Sequence, residues 1–186
     1  MIRVTGGQFR GRTVDSPPKH KQVRPTTGMM RESLFSRFQF DLPDARFLDL
    51  FAGSGIMSLE ALSRGAGFVL AVEADEDQCR TMRKNFEKIG ITEARIKVSN
   101  NDVKRLLAQP CRKKPFDFIF LDPPYGFKEL PLLVSQCVQH GWVKPDGVII
   151  AEHGYRDPDL EGFTRKNYGE SSVSIRMMGD ANALTE

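Results

Sequence analysis

The residues that invite chemistry stand together at Asp122-Pro123-Pro124-Tyr125, directly after the apolar run Phe118-Ile119-Phe120-Leu121. A strand that ends on a carboxylate sets an acceptor at the edge of a sheet. The two prolines lack N–H donors and fix the backbone, which leaves carbonyl oxygens open to a ligand. Asp122 and the Pro123 carbonyl thus offer two converging acceptors, a match for an exocyclic –NH2 group with its two donors. The lone pair of such a nitrogen is delocalised into the base. Hydrogen bonds to both N–H groups favour a more tetrahedral nitrogen and localise that pair, which can then attack an electrophilic methyl in line. No strong general base is required, because the nitrogen becomes acidic as it is alkylated. Tyr125 offers a ring to stack on a flat base.

A second constellation lies upstream, in Asp49-Leu50-Phe51-Ala52-Gly53-Ser54-Gly55. A Gly-x-Gly turn between a strand and a helix lets a ligand approach the backbone closely, at the carboxyl end of the sheet. Glu73 ends the next strand and can accept hydrogen bonds from both hydroxyls of a ribose. The third glycine of a dinucleotide fingerprint is replaced by Ser58, and no GxxxxGK[ST] occurs, so neither a dinucleotide nor a nucleoside triphosphate is favoured. An adenosine ligand without a pyrophosphate fits better. After the third strand, Asp102 within Asn100-Asn101-Asp102-Val103 can accept from an adenine amino group, with the Val103 N–H on a ring nitrogen. It can equally cap a helix, and both readings stand.

These groups need a scaffold, and the apolar pattern supplies one. Strands are expected at 47–50, 68–72, 95–98, 116–121 and 148–151. Helical faces fall at Ile56, Leu59 and Leu62, at Cys79, Met82, Phe86 and Ile89, at Val103, Leu106 and Leu107, and at Leu130, Leu133, Val134 and Cys137. Phe116, Phe118 and Phe120 are expected to share one strand face, and Trp142 to pack in the core. Residues 163–168 and 173–177 can pair around Gly169 as a terminal hairpin. Near-continuous apolar strands alternating with helices argue an α/β fold with a parallel sheet covered on both faces.

The N-terminal end is different. Residues 1–40 carry eight Lys/Arg against two acids, although the whole chain is only +3. A basic segment on a mildly acidic body suggests an anionic partner, with nucleic acid favoured over a solvated tail. Residues 1–25 read as a hairpin arm and linker, broken by Pro17-Pro18. A helix capped at Thr26-Thr27 follows, with Met30, Leu34, Phe35 and Phe38 on one face. Arg112-Lys113-Lys114 reads as a solvated loop. The 186 residues suit a single domain spanning 1–186, with 26–186 as helix and catalytic core. No apolar run approaches the roughly 18 residues of a membrane span, and the first residues do not resemble a secretory signal. Three dispersed cysteines, Cys79, Cys111 and Cys137, suggest reduced thiols in a cytoplasmic protein, and no Cys/His spacing suggests a metal.

The stretch FLDLFAGSGIMSLEALSRGA, followed by LDPPY, resembles the class I S-adenosylmethionine-dependent methyltransferases. The segment IRVTGGQFRGRTV…VRPTTGMMRESLF is similar to the RsmD family of 16S rRNA guanine-N2 methyltransferases, and the resemblance runs from about Arg3 to the terminal hairpin. It implies a Rossmann-like class I methyltransferase fold: a mostly parallel seven-stranded sheet, a C-terminal antiparallel hairpin and a small N-terminal β-hairpin arm. It implies S-adenosyl-L-methionine as cofactor and 16S rRNA in the small ribosomal subunit as partner. No membrane or metal is expected, and the protein is expected to act as a monomer. The implied cofactor contacts are Asp49, Phe51, Gly53, Ser54, Gly55, Glu73, Ala74, Asp102 and Val103. The implied catalytic group is Asp122, Pro123, Pro124 and Tyr125, and the implied RNA contacts are Arg10, Arg12, Arg24, Thr26 and Arg31. The chain departs from the family pattern at Gly28-Met29-Met30, where a charge pair near the pocket mouth is lost. Rival readings are a methyltransferase acting on a protein glutamine or on adenine, and a noncatalytic RNA-binding protein.

Overall fold

Along β3 (Arg46–Leu50) and β6 (Phe116–Leu121), successive side chains enter opposite layers of a sandwich. Phe47, Phe118 and Phe120 join one buried cluster, while Leu48, Leu50, Ile119 and Leu121 join the other. Period-two alternation with both faces apolar forces a sheet that is covered on each side. The computed structural model describes residues 1–15, 27–124 and 126–179.

The remaining elements, in chain order, are β1 (Ile2–Arg3), β2 (Thr13–Val14), α1 (Gly28–Arg37), α2 (Ile56–Ser63), β4 (Phe68–Glu73), α3 (Glu76–Ile89), β5 (Ile96–Asn100), α4 (Val103–Leu107), α5 (Leu130–Gln139), β7 (Val143–Gly154), β8 (Thr164–Tyr168) and β9 (Ser171–Met177). The main sheet has the order β5-β4-β3-β6-β7-β9-β8. Strands β3 to β7 pair in parallel, and β9 runs antiparallel between β7 and β8. Helices α1, α2 and α3 contribute to the first buried cluster, and α4 and α5 to the second. The sheet order reverses between β3 and β6. That switch point is where an open α/β sheet forms a crevice at its carboxyl ends.

Local signals set the helix ends. Thr27 caps α1 by accepting from the Met30 N–H at 3.3 Å. Met30, Leu34, Phe35 and Phe38 are buried, as their spacing predicts. Asp75 caps α3, and Gly90 ends it in the left-handed region at φ 85°. Pro131 sits in the first turn of α5, where a missing N–H is tolerated.

Two details differ from the pattern-based expectation. Strand β7 has twelve residues instead of four, and its pairing with β6 shifts between Phe116 and Phe118. Phe116 therefore does not share a face with Phe118 and Phe120. It lies in the opposite cluster, with its ring stacked on Trp142 at 6.4 Å.

The arm is a two-residue-per-strand ladder, Ile2 opposite Val14 and Arg3 opposite Thr13. So short a ladder is marginal by itself. Val4 and Val14 are buried in the first cluster, and the arm is pinned to the end of α2. The Gln8 N–H donates to Ser63 O at 2.8 Å, and the Phe9 N–H to Ser63 Oγ at 2.9 Å.

Candidate active site

At the carboxyl end of β3 the chain passes through three left-handed residues, Phe51 (φ 62°), Gly53 (φ 53°) and Gly55 (φ 76°), before α2 begins. Gly55 cannot be replaced without displacing side chains of α3, because a Cβ there would lie 2.6 Å from Met82 Cγ and 2.9 Å from Phe86 Cζ. Gly53 is different. A Cβ there would meet nothing nearer than Gln78 Oε1 at 3.6 Å, so its outer side is open to a ligand. The turn is tied to β4 by the Ala52 N–H donating to Val72 O at 3.0 Å.

Asp49 lies beneath this loop at 1% exposure. Its Oδ2 accepts from the Ser58 N–H at 3.0 Å and from Ser58 Oγ at 2.6 Å. Burial pushes its pKa up to about 7, although the Ser58 hydrogen bonds pull the other way and the Glu73 charge adds to the rise. Asp49 thus braces the start of α2 from inside and does not face a ligand directly.

Glu73 closes the loop from the end of β4. One carboxylate oxygen accepts from the Gly53 N–H at 2.9 Å, and the other from the Asp75 N–H at 2.9 Å. Each oxygen keeps a second lone-pair direction, so a half-buried Glu73 can still accept from two hydroxyls. Ala74 is exposed beside it. Asn100 holds this corner, donating from Nδ2 to Ala74 O at 2.8 Å and to Glu73 O at 3.2 Å. Asp102 caps α4, with Oδ1 accepting from the Arg105 N–H at 2.9 Å. The Val103 N–H, at the first position of α4, has no acceptor within the helix. Ser54 is half-buried at the loop's tip.

Asp122 follows β6, and its N–H donates to Leu50 O at 3.3 Å. That bond sets the Asp122-Pro123-Pro124 turn directly against the glycine loop. Asp122 and Pro123 are half-buried, and Pro124 is exposed. Tyr125, Arg24 and Thr26 lie outside the described residues. The donor set suits S-adenosylmethionine: an open glycine face, a carboxylate at the end of β4 and an acceptor-rich turn beside them.

The basic residues divide. Arg10 and Arg12 are exposed on the arm. A groove of about 400 Å³ between arm and α1 is lined by Arg3, Thr5, Arg10, Gly28, Arg31 and Glu32. Arg31, expected to touch RNA, is instead 4% exposed. Its Nε pairs with Glu60 Oε1 at 3.2 Å, and a terminal nitrogen donates to Arg3 O at 2.9 Å. Glu60 was not singled out by motif. The one available signal is a lone charge inside the mostly apolar segment Ile56–Ser63. Asn100, noted in the sequence only as part of the stretch before Asp102, braces the corner through bonds to Glu73 O and Ala74 O that the folded chain alone brings together.

A reversed-order parallel sheet, a glycine turn after β3, an acid ending β4 and Asp-Pro-Pro after β6 define a Rossmann-like methyltransferase. The chain belongs to the RsmD family, whose model, described as "Conserved hypothetical protein 95", matches residues 2–177. Ribosomal RNA small subunit methyltransferase D of Escherichia coli is 36% identical over 152 residues, which cover 82% of this chain and 74% of that protein. Its namesake from Haemophilus influenzae is 32% identical over 152 residues, covering 81% and 78%. The solved structure of Escherichia coli yhhF superposes with a TM-score of 0.81 at 30% identity, covering 94% of this chain and 96% of that one.

Proposed function

We propose that the protein methylates the exocyclic N2 of a guanine in 16S rRNA, within small ribosomal subunits, using S-adenosyl-L-methionine. The observation that carries this reading is the bond from the Asp122 N–H to Leu50 O, which sets an acceptor-rich turn beside an open glycine loop. Membership of the RsmD family and relatives named for small-subunit rRNA support the acceptor.

S-adenosylmethionine supplies a methyl group on a positively charged sulfur, which departs as a neutral thioether. The chain's own residues prepare the nucleophile. Asp122 and the Pro123 carbonyl accept from the two N–H groups of the base amine, and Tyr125 stacks on the ring. The two hydrogen bonds raise lone-pair density on nitrogen, and they strengthen as positive charge develops there. As the N–C bond forms, the nitrogen loses a proton, and the Asp122 carboxylate is the acceptor within reach. Glu73 holds the ribose, while Asp102 and Val103 face the adenine. Arg10 and Arg12, with Arg24 and Thr26, contact the RNA. Arg31 has no part in this, since its guanidinium is buried against Glu60.

The test is transfer of a labelled methyl group to small subunits lacking the modification, to naked 16S rRNA and to a glutamine-bearing protein acceptor, followed by nucleoside analysis. Label in N2-methylguanosine is expected, strongest on the small subunit. Label on protein or adenine would overturn the acceptor and keep the cofactor. Absence of cofactor binding would favour a noncatalytic RNA-binding protein.

A further inference from the structure

Pro123 and Pro124 cannot donate backbone hydrogen bonds, so the catalytic turn must be held from its two ends. The leading end is fixed by Asp122 on Leu50 O. The trailing end is fixed by Phe127, whose N–H donates to Pro124 O at 3.2 Å. The Phe127 ring meets the Phe51 ring edge-on, with centroids 5.5 Å apart and planes at 67°. Phe51 is the glycine-loop residue held at φ 62°, an uncommon conformation for a bulky side chain that persists only when its surroundings enforce it. On its other side, Phe127 has Lys104 Nζ 5.9 Å from its ring centroid. Lys104 stands in the first turn of α4 and pairs with Glu129 at 2.9 Å. The residues just past the catalytic turn are therefore braced against the glycine loop and against α4, the two segments that flank the cofactor position.

We propose that Phe127 is a positioning residue that couples occupation of the methyl-donor site to the geometry of the Asp122-Pro123-Pro124 turn, through its edge contact with Phe51. The inference rests on the donor reading given above. A ligand seated on Gly53 limits the freedom of the loop that carries Phe51. The edge contact passes that restriction to Phe127, and from there, through the Phe127 N–H on Pro124 O, to the turn. The methyl acceptor then meets an ordered pair of acceptors only when the donor is in place.

The experiment is hydrogen exchange on the full chain with and without S-adenosylhomocysteine, paired with turnover at saturating donor. In the native protein the ligand should protect the amides of residues 50–56 and also those of 126–130. In Phe127→Ala, protection should persist over the first segment and vanish from the second. Turnover should fall roughly tenfold while donor affinity changes by no more than about threefold. Phe127→Tyr, which keeps the aromatic edge, should restore both readouts. Phe127→Leu keeps most of the buried volume without the ring and carries the same comparison should the alanine variant not fold. Equal protection of 126–130 in native and ring-less proteins, or native turnover without the ring, overturns the coupling. A native protein that does not bind the ligand overturns the donor reading instead. Transfer to a non-RNA acceptor overturns only the substrate, and the exchange data still decide the coupling.

Discussion

The seam that fastens the arm and the edge that holds the candidate site both rely on carboxylates, and they use them in opposite ways. At the arm, Glu60 is fully buried. It accepts from the Thr5 N–H at 2.8 Å and from Thr5 Oγ1 at 3.1 Å, and it pairs with both Arg31 and Arg64. At the carboxyl edge, Glu73, Asp102 and Asp122 are only half-buried, and Glu73 and Asp102 bond mostly to backbone N–H groups. A buried carboxylate ringed by guanidinium groups has nothing left to offer a ligand. A half-buried one bound to backbone retains lone pairs that water, and later a ligand, can occupy. The same contrast separates the arginines: Arg31 is consumed by the fold, and Arg10 stands in solvent.

The largest effect on activity should come from the edge. On the proposed mechanism, Asp122→Ala removes an acceptor that binds the target amine most strongly in the transition state. Methyl transfer should drop by roughly 100-fold or more. Stability should change by less than about 1 kcal/mol, since the side chain is half-exposed. Steady-state kinetics beside a urea titration measures both, and near-normal turnover would remove Asp122 from the chemistry.

The arm seam should answer in the reverse sense. Glu60→Ala strands two guanidinium groups against a cavity and should cost about 3–5 kcal/mol, because breaking a buried pair leaves its partner's charge uncompensated. The urea midpoint would report it. An unchanged midpoint would mean that the seam adds no stability and that the contrast between the two regions is wrong.

Asp49 sits between these cases, buried like Glu60 but placed beneath the cofactor loop. Its carboxyl titrates near 3.8 in the unfolded chain and at about 7 in the folded one. Between those values the unfolded state gives up a proton that the native state keeps. The contribution of Asp49 to stability is therefore greatest in acid and is lost as pH rises through about 7. Asp49→Asn never ionises and can still accept from Ser58. Its stability relative to the native protein should climb across that window by at most about 4 kcal/mol and level off above it. A flat difference between acid and neutral pH would show that Asp49 is ionised in the folded state.

Much of the backbone of the candidate site was legible because prolines and glycines act locally. Asp122-Pro123-Pro124 and Gly53-Ser54-Gly55 declare a turn wherever the chain carries them. The parallel strands were legible because strands buried on both faces must be apolar throughout. The first part of β7 was not, since Lys144-Pro145-Asp146-Gly147 has the composition of a turn. Val143 pairs with Phe116 and Val148 with Phe118, so these four residues fall in the irregularity between two pairings of one strand. The fate of Arg31 was hidden for a different reason. Its partner Glu60 lies 29 residues away, and Thr5 reaches the same carboxylate across 55 residues. No local pattern distinguishes an arginine that will meet a buried acid from one that will meet RNA. The left-handed Phe51 was equally silent, because its conformation is imposed by the turn around it.

The smallest effect is the one that sharpens the contrast among the arginines. Each arm guanidinium that neutralises a phosphate releases counterions, so its loss weakens binding and flattens the dependence on salt. Replacing Arg10 and Arg12 together with Gln should lower the slope of log affinity against log salt by about 1.4–1.8, if each meets one phosphate. Binding of 16S rRNA fragments, titrated over a range of salt, measures this directly. Arg31→Gln should do the opposite: reduce stability and leave the slope unchanged, because its charge is already spent on Glu60. A slope lowered by Arg31→Gln would mean that the buried pair opens when RNA binds. An unchanged slope in the Arg10/Arg12 variant would mean that the exposed arm is only solvated. The arm's role would then be the architectural one that Thr5 and Glu60 already give it.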